Sequence, residues 1–147
     1  MAGFEVVIDH SPSAKAKLVP IASTAFTVND LLELTAGSTT WAACTSSSNY
    51  FSRKAIALET VLSTATFINV YELDGTEGVK AETASNSNSA HNGDRMVLTD
   101  SNTVNNTGTD NTSQNAAFIQ NNVTGVAADK RILGRVIVGP SVDPDAT

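Results

Sequence analysis

Thr64-Ala65-Thr66-Phe67-Ile68-Asn69-Val70-Tyr71-Glu72-Leu73 decides the fold class. It is rich in β-branched and aromatic residues, and its side chains alternate. Ala65, Phe67, Asn69 and Tyr71 fall on one face, and Thr66, Ile68, Val70 and Glu72 on the other, the period of two that a strand requires. Asp74-Gly75 follows as a turn. Outward from this stretch, further short apolar runs are cut by turn residues. Leu31 to Thr35, Thr40 to Cys44, Met96 to Thr99, Ala116 to Ile119 and Arg131 to Val138 read as strands. Arg53 to Leu62 fits a helix through the Ala55/Leu58/Leu62 spacing, and equally a strand ending at Leu58.

Composition agrees with a β protein. Ser, Thr and Asn number 15, 18 and 13 among 147 residues, while charged residues are only 16%. A helical bundle or coiled coil wants the opposite balance. The chain reads as mostly β, with at most one short helix. The net charge of -6 points away from nucleic acid, whose partners carry a basic face. No apolar run is long enough for a membrane helix. Cys44 stands alone, so no intrachain disulfide is possible.

Three regions follow from the punctuation. Residues 1–24 read as an extended N-terminal arm, because Pro12 and Pro20 separate the apolar run Phe4 to Ile8 from the later strands. The alternative is a first strand of the main domain. Residues 25–140 hold the strands, and residues 141–147 form a polar tail. Two stretches, Ala84 to Gly93 and Asp100 to Asn115, have almost no large apolar side chain and read as exposed loops.

The halves resemble one another. Asp30 to Thr35 aligns with Asp94 to Thr99, Ala55-Ile56-Ala57 with Ala117-Phe118-Ile119, and Val61 with Val123; each half then closes with a long apolar strand. This order suits a duplicated β motif whose units share a core. Three identities in six residues also arise by chance.

Motifs that carry chemistry are scarce. There is no phosphate-binding glycine loop and no Gly-x-Ser-x-Gly turn. His91 with Asp94, and His10 beside Asp9, are turn residues before they are catalytic ones. Cys44 has no cationic or histidine neighbour in sequence to activate it and reads as a small buried hydrophobe. Asp100-Ser101-Asn102 begins like a calcium loop, but Val104, Asn105 and Asn111 break the pattern. The expectation is therefore a non-enzymatic protein with no catalytic residue, cofactor or metal. The residues that stand out are Phe4, Val6, Val7 and Ile8: too apolar to leave bare, they are expected to contact a sister subunit or another protein by strand addition.

Asp30 to Thr35, Arg53 to Glu59 leading to Thr66 to Glu72, and Ala117 to Ile119 leading to Leu133 to Pro140 resemble the strand and turn pattern of tailed-bacteriophage head decoration (cement) proteins of the small β-barrel, or β-tulip, kind. The resemblance covers roughly Ala25 to Pro140. It implies a small β-barrel that binds the major capsid protein on the outer surface of an icosahedral shell, commonly as a homotrimer, and stabilises contacts between capsomers. It also implies synthesis in a host cytoplasm and residence on the virion. Other readings are a tail, fibre or minor capsid subunit, and then a small ligand-binding barrel or enzyme.

Overall fold

The computed structural model describes residues 3–9, 16–48, 50–109 and 115–139. The strands are β1 (Phe4–Ile8), β2 (Ala16–Pro20), β3 (Leu31–Leu34), β4 (Ala42–Ala43), β5 (Arg53–Ala57) and β6 (Phe67–Glu72). They continue with β7 (Gly78–Glu82), β8 (Arg95–Asp100), β9 (Thr103–Thr109), β10 (Phe118–Val123) and β11 (Arg131–Val136). One 3-10 turn, Ser89–His91, lies between β7 and β8. The mostly-β reading holds. Arg53 to Ala57 is a strand, and its ambiguity has a physical cause: β5 is central and buried on both faces from Lys54 to Ala57, so no polar alternation marks it.

The strands form two antiparallel sheets, not one closed barrel. Their orders are β2-β6-β5-β3-β4 and β1-β7-β11-β10-β8-β9. Each sheet curls until distant strands meet at one bridge, Ile21 to Trp41 in the first and Thr83 to Val104 in the second. A single bridge does not make a ladder, and β4 is only two residues long. The apolar faces are covered by packing rather than by closure.

The strand orders make the duplication plain. Strands β2, β3, β4, β5 and β6 occupy the places of β7, β8, β9, β10 and β11. The registers match as well: Val19 faces Ile68 as Ala81 faces Ile132, Leu32 faces Ala55 as Met96 faces Phe118, and Ala57 faces Val70 as Gln120 faces Gly134. Even the entry turns agree. Asn29 donates its N–H to Ala57 O (2.9 Å), and Gly93 donates to Gln120 O (2.7 Å). Both donors are left-handed, at φ 75° and 91°. Ala55 thus corresponds to Phe118, one position beyond the alignment read from sequence, because the connecting loops differ in length by one residue.

Two clusters make the core. One face of the first sheet buries Val19, Leu32, Ala55, Ile68 and Val70 under Phe26 and Trp41. The other face contributes Leu31 and Ile56 to a larger cluster with Phe4, Met96, Leu98, Phe118 and Ile132 of the second sheet.

The described residues of the N-terminal segment, 3–9 and 16–24, do not form an independent arm. β1 is the end strand of the second unit's sheet and β2 the end strand of the first. Gly3 explains the difference. At φ 101° it turns the chain so that Phe4 donates its N–H to Asn29 O (3.0 Å), and a Cβ there would lie 2.5 Å from the same oxygen. Phe4 is then fully buried, its ring 6.2 Å from that of Phe118. The stretch Asp100 to Asn115 is likewise not all loop: β9 runs through it, and Val104 and Asn106 are buried. A strand whose alternate residues are Asn and Thr hides from a hydrophobicity reading. His10, Asp110 to Gln114 and the tail 141–147 lie outside the described residues.

Gly134 and Phe118 show how the units diverged. Their counterparts are Val70 and Ala55, so a medium and a small residue have become none and a large one. A Cβ on Gly134 would meet Ile119 O at 1.9 Å and the Phe118 ring at 2.7 Å. Gly134→Ala is expected to lower stability by about 3 kcal/mol in urea unfolding; an unchanged midpoint would contradict this packing.

Candidate functional site

The first place where polar groups converge lies on the face of β3 and β5 turned toward the second sheet. Glu33 and Lys54 are cross-strand neighbours. Lys54 is fully buried and donates from Nζ to Ser52 Oγ (2.7 Å) and Ser52 O (3.2 Å). Ser52 Oγ donates to Glu33 Oε1 (2.9 Å), and Ser48 Oγ donates to Glu33 Oε2. Ser48 Oγ in turn accepts from Thr45 N (2.8 Å). Burial lowers the Lys54 pKa, and the neighbouring Cys44 and Glu33 oppose that shift. Chemically this is a buried lysine joined through a serine hydroxyl to a half-buried carboxylate. It ties β3, β5 and the Thr45–Ser48 turn together, and through Ser52 O, which accepts from Gly139 N (2.9 Å), it holds the end of the second unit.

Cys44 is buried beside this cluster. Burial pushes its thiol far above the ordinary range, and the Glu33 charge adds to the shift. A thiol so placed is a packing group, not a nucleophile. His91 Nδ1 lies 3.1 Å from Asp94 Oδ2 at the exposed 3-10 turn. The Asp100 carboxylate accepts from Asn102 N (3.0 Å), which makes it a turn former. Among the described residues, no three His, Cys, Asp or Glu side chains are grouped so as to hold a metal ion.

The second feature is an apolar flank. Leu31, Ile56 and Tyr71 on the first sheet's inner face are covered, but the same face continues bare past Asn69. Leu18 is 60% exposed, Phe67 55% and Leu58 45%. Leu18 lies opposite Asn69 and diagonal to Phe67, while Leu58 N donates to Asn69 O (3.0 Å). Val7 and Ile8 are exposed on β1. Asp9, just after β1, accepts a hydrogen bond from Tyr71 Oη, and Tyr71 faces Ala16 of β2. The end of β1 is thereby tied to β6, the neighbour of β2.

Of the four residues singled out from sequence, Phe4 is spent inside its own core and Val6 packs against it, while Val7 and Ile8 face out. The sequence reading missed Leu18, Leu58 and Phe67. For Phe67 a signal was present in the mixed face Ala65, Phe67, Asn69, Tyr71, where an aromatic residue alternates with a polar one.

Next to the flank, Glu72 joins β2, β5 and β6. Arg53 Nε and Nη2 donate to its two oxygens (2.7 and 2.8 Å), and Lys17 pairs with it. Burial raises the Glu72 pKa, but the hydrogen bonds and charges of Arg53 and Lys17 outweigh it, so the net shift is downward.

No known protein family matches the chain, and neither does any curated protein. The functional argument therefore rests on the geometry.

The network gives a stability test. Glu33→Ala removes the carboxylate that the Ser48 and Ser52 hydroxyls bond and that faces Lys54, and is expected to cost about 1–3 kcal/mol. Adding Lys54→Met should recover most of that loss in denaturant unfolding. A double variant no more stable than Glu33→Ala would show that the charges are not coupled.

Proposed function

We propose that this protein is a non-enzymatic structural subunit of a virion. It docks on the outer surface of an icosahedral phage capsid, against the major capsid protein, and stabilises contacts between capsomers. The observation that carries the reading is the cluster of exposed apolar side chains Leu18, Phe67 and Leu58 on one face of the first sheet, together with Val7 and Ile8 exposed on β1. Clustered exposed apolar side chains mark a docking face. The neutral stretch Ala84 to Gly93 supplies the opposite kind of surface, soluble and non-adhesive. It is pinned to the second sheet by Gln120, whose Nε2 donates to Asn88 O (2.9 Å) and Asn92 Oδ1 (2.8 Å). The resemblance to head decoration proteins is what names the shell as the partner.

The scaffold suits this work. Nearly every polar group at the convergent site above is consumed in holding strands together. A rigid doubled sheet packing keeps a docking face preformed, which reduces the ordering cost of association.

Co-sedimentation with preformed shells encoded by the same virus tests the proposal. The wild-type protein is expected to pellet with shells to a saturable stoichiometry. Val7→Asp combined with Phe67→Asp should raise the apparent Kd by at least about tenfold, since each buried large apolar side chain contributes about 1.5–3 kcal/mol. Absence of wild-type binding, or full binding by the double variant, would refute the reading.

A further inference from the structure

The two units, compared with each other, single out one sheet edge. In the second unit the outer edge of its first strand, β7, is covered. β1 runs antiparallel along it, with Phe4 opposite Ala81, Glu5 opposite Lys80 and Val6 opposite Val79. The equivalent strand of the first unit is β2, where Val19, Leu18 and Lys17 stand in the places of Ala81, Lys80 and Val79. β2 ends its sheet, and among the described residues no strand lies along its outer side. Trp41 reaches its end, donating its N–H to Pro20 O (2.9 Å).

The direction of the backbone groups follows from two bonds. Ile21 donates its N–H inward to Thr66 O (2.9 Å), while Pro20 turns its carbonyl outward to Trp41. Backbone groups alternate along a strand, so Val19 and Lys17 point toward β6, and Leu18 and Ala16 point away from the sheet. Leu18 thus presents an N–H, a C=O and a largely exposed side chain on the same edge.

We propose that β2 is a homodimer seam, in which β2 of a second copy pairs with it antiparallel about a two-fold axis at Leu18. The covered edge in the second unit shows the kind of occupant this position takes, an antiparallel strand. The side chains name which strand. Where β1 offers Glu5 to Lys80, the exposed Leu18 wants an apolar residue opposite it, and Leu18 of a second copy supplies one. Register is fixed from both sides. Pairing about Leu18 lets the two leucines exchange both backbone hydrogen bonds and sets Lys17 opposite Val19. A two-residue slip would set Lys17 against Lys17, and like charges directly opposite are destabilising. Lys17 keeps its pairing with Glu72, so the seam buries no unpaired charge. Pro20, with no N–H to give, ends the ladder where Trp41 already caps the strand. Across the seam the Leu18–Phe67–Leu58 strips of the two copies join into one apolar surface on a continuous ten-stranded sheet. The seam shares Leu18 with the apolar flank described above, but it is tested without shells, so its failure is distinguishable from failure of the shell contact.

Sedimentation or light-scattering mass of the full-length protein should give a dimer. Leu18→Asp and Leu18→Pro should both give monomers with unchanged circular dichroism and a thermal midpoint that no longer depends on protein concentration, because the Leu18 N–H makes no bond within its own sheet. Mild oxidation should link Leu18→Cys chains into a covalent dimer, since paired residues at such a position sit within disulfide reach. Val28→Cys, exposed elsewhere, should not be linked. A monomeric wild type, a trimer, a dimer that survives both Leu18→Asp and Leu18→Pro, or no crosslink through Leu18→Cys would each overturn the seam.

Discussion

The first sheet is apolar on both faces, and everything else in the molecule answers that constraint. Leu32, Ala55, Ile68 and Val70 are covered within their own unit by Phe26 and Trp41. Leu31 and Ile56 point the other way and are covered only by the second unit. The second unit has the complementary need, for its cluster is incomplete without those side chains. Main-chain bonds reinforce the junction: Leu31 N donates to Ser101 O (2.7 Å), at the turn that follows β8. Asp30 beside it is raised in pKa by burial, with hydrogen bonds from Thr27 and Asn102 working against the shift and the Asp100 charge adding to it. Two copies of one motif have become a single body because neither can hide its surface alone.

Duplication followed by divergence explains several features that look unrelated along the chain. The exchange of Val70 and Ala55 for Gly134 and Phe118 moves volume from one strand to its neighbour while keeping the pair filled. Ala57, packed against apolar neighbours, corresponds to Gln120, whose amide holds the 88–92 turn. Among the described residues, only the second unit has a strand along its outer edge. That asymmetry leaves the β2 edge and the adjoining apolar strip as the least satisfied surface of the fold, and both the docking reading and the dimer seam grow from it.

Much of this was legible in the sequence, for reasons that differ by element. β6 could be read because it alternates, with Ile68 and Val70 buried and Phe67 and Asn69 exposed. β3 and β8 could be aligned because Asp30 and Asp94 open equivalent turns. The strand nature of β5 was hidden by burial on both faces, and β9 by its Asn and Thr content. The extent of the N-terminal segment was misread because Phe4 to Ile8 is far in sequence from the Gly78–Glu82 strand it joins, and no local pattern reports a partner that distant. The Glu33–Ser52–Lys54 network was invisible for the same reason: its members are ordinary polar residues until the register of β3 against β5 brings them together. Exposed apolar residues were visible in Val7 and Ile8, but Leu18 on β2, Leu58 just after β5 and Phe67 on β6 become one surface only in the folded sheet.

Whether the two units really share one core is the claim on which the rest depends, and native-state hydrogen exchange measures it directly. Protected amides in the first unit, such as those of Ile68 and Val70, should exchange with the same free energy as Ile132 and Phe118 in the second, because all four open only when the whole molecule unfolds. A first unit whose core amides exchange through a separate opening, several kcal/mol below that of the second, would contradict the account and make the halves independent domains.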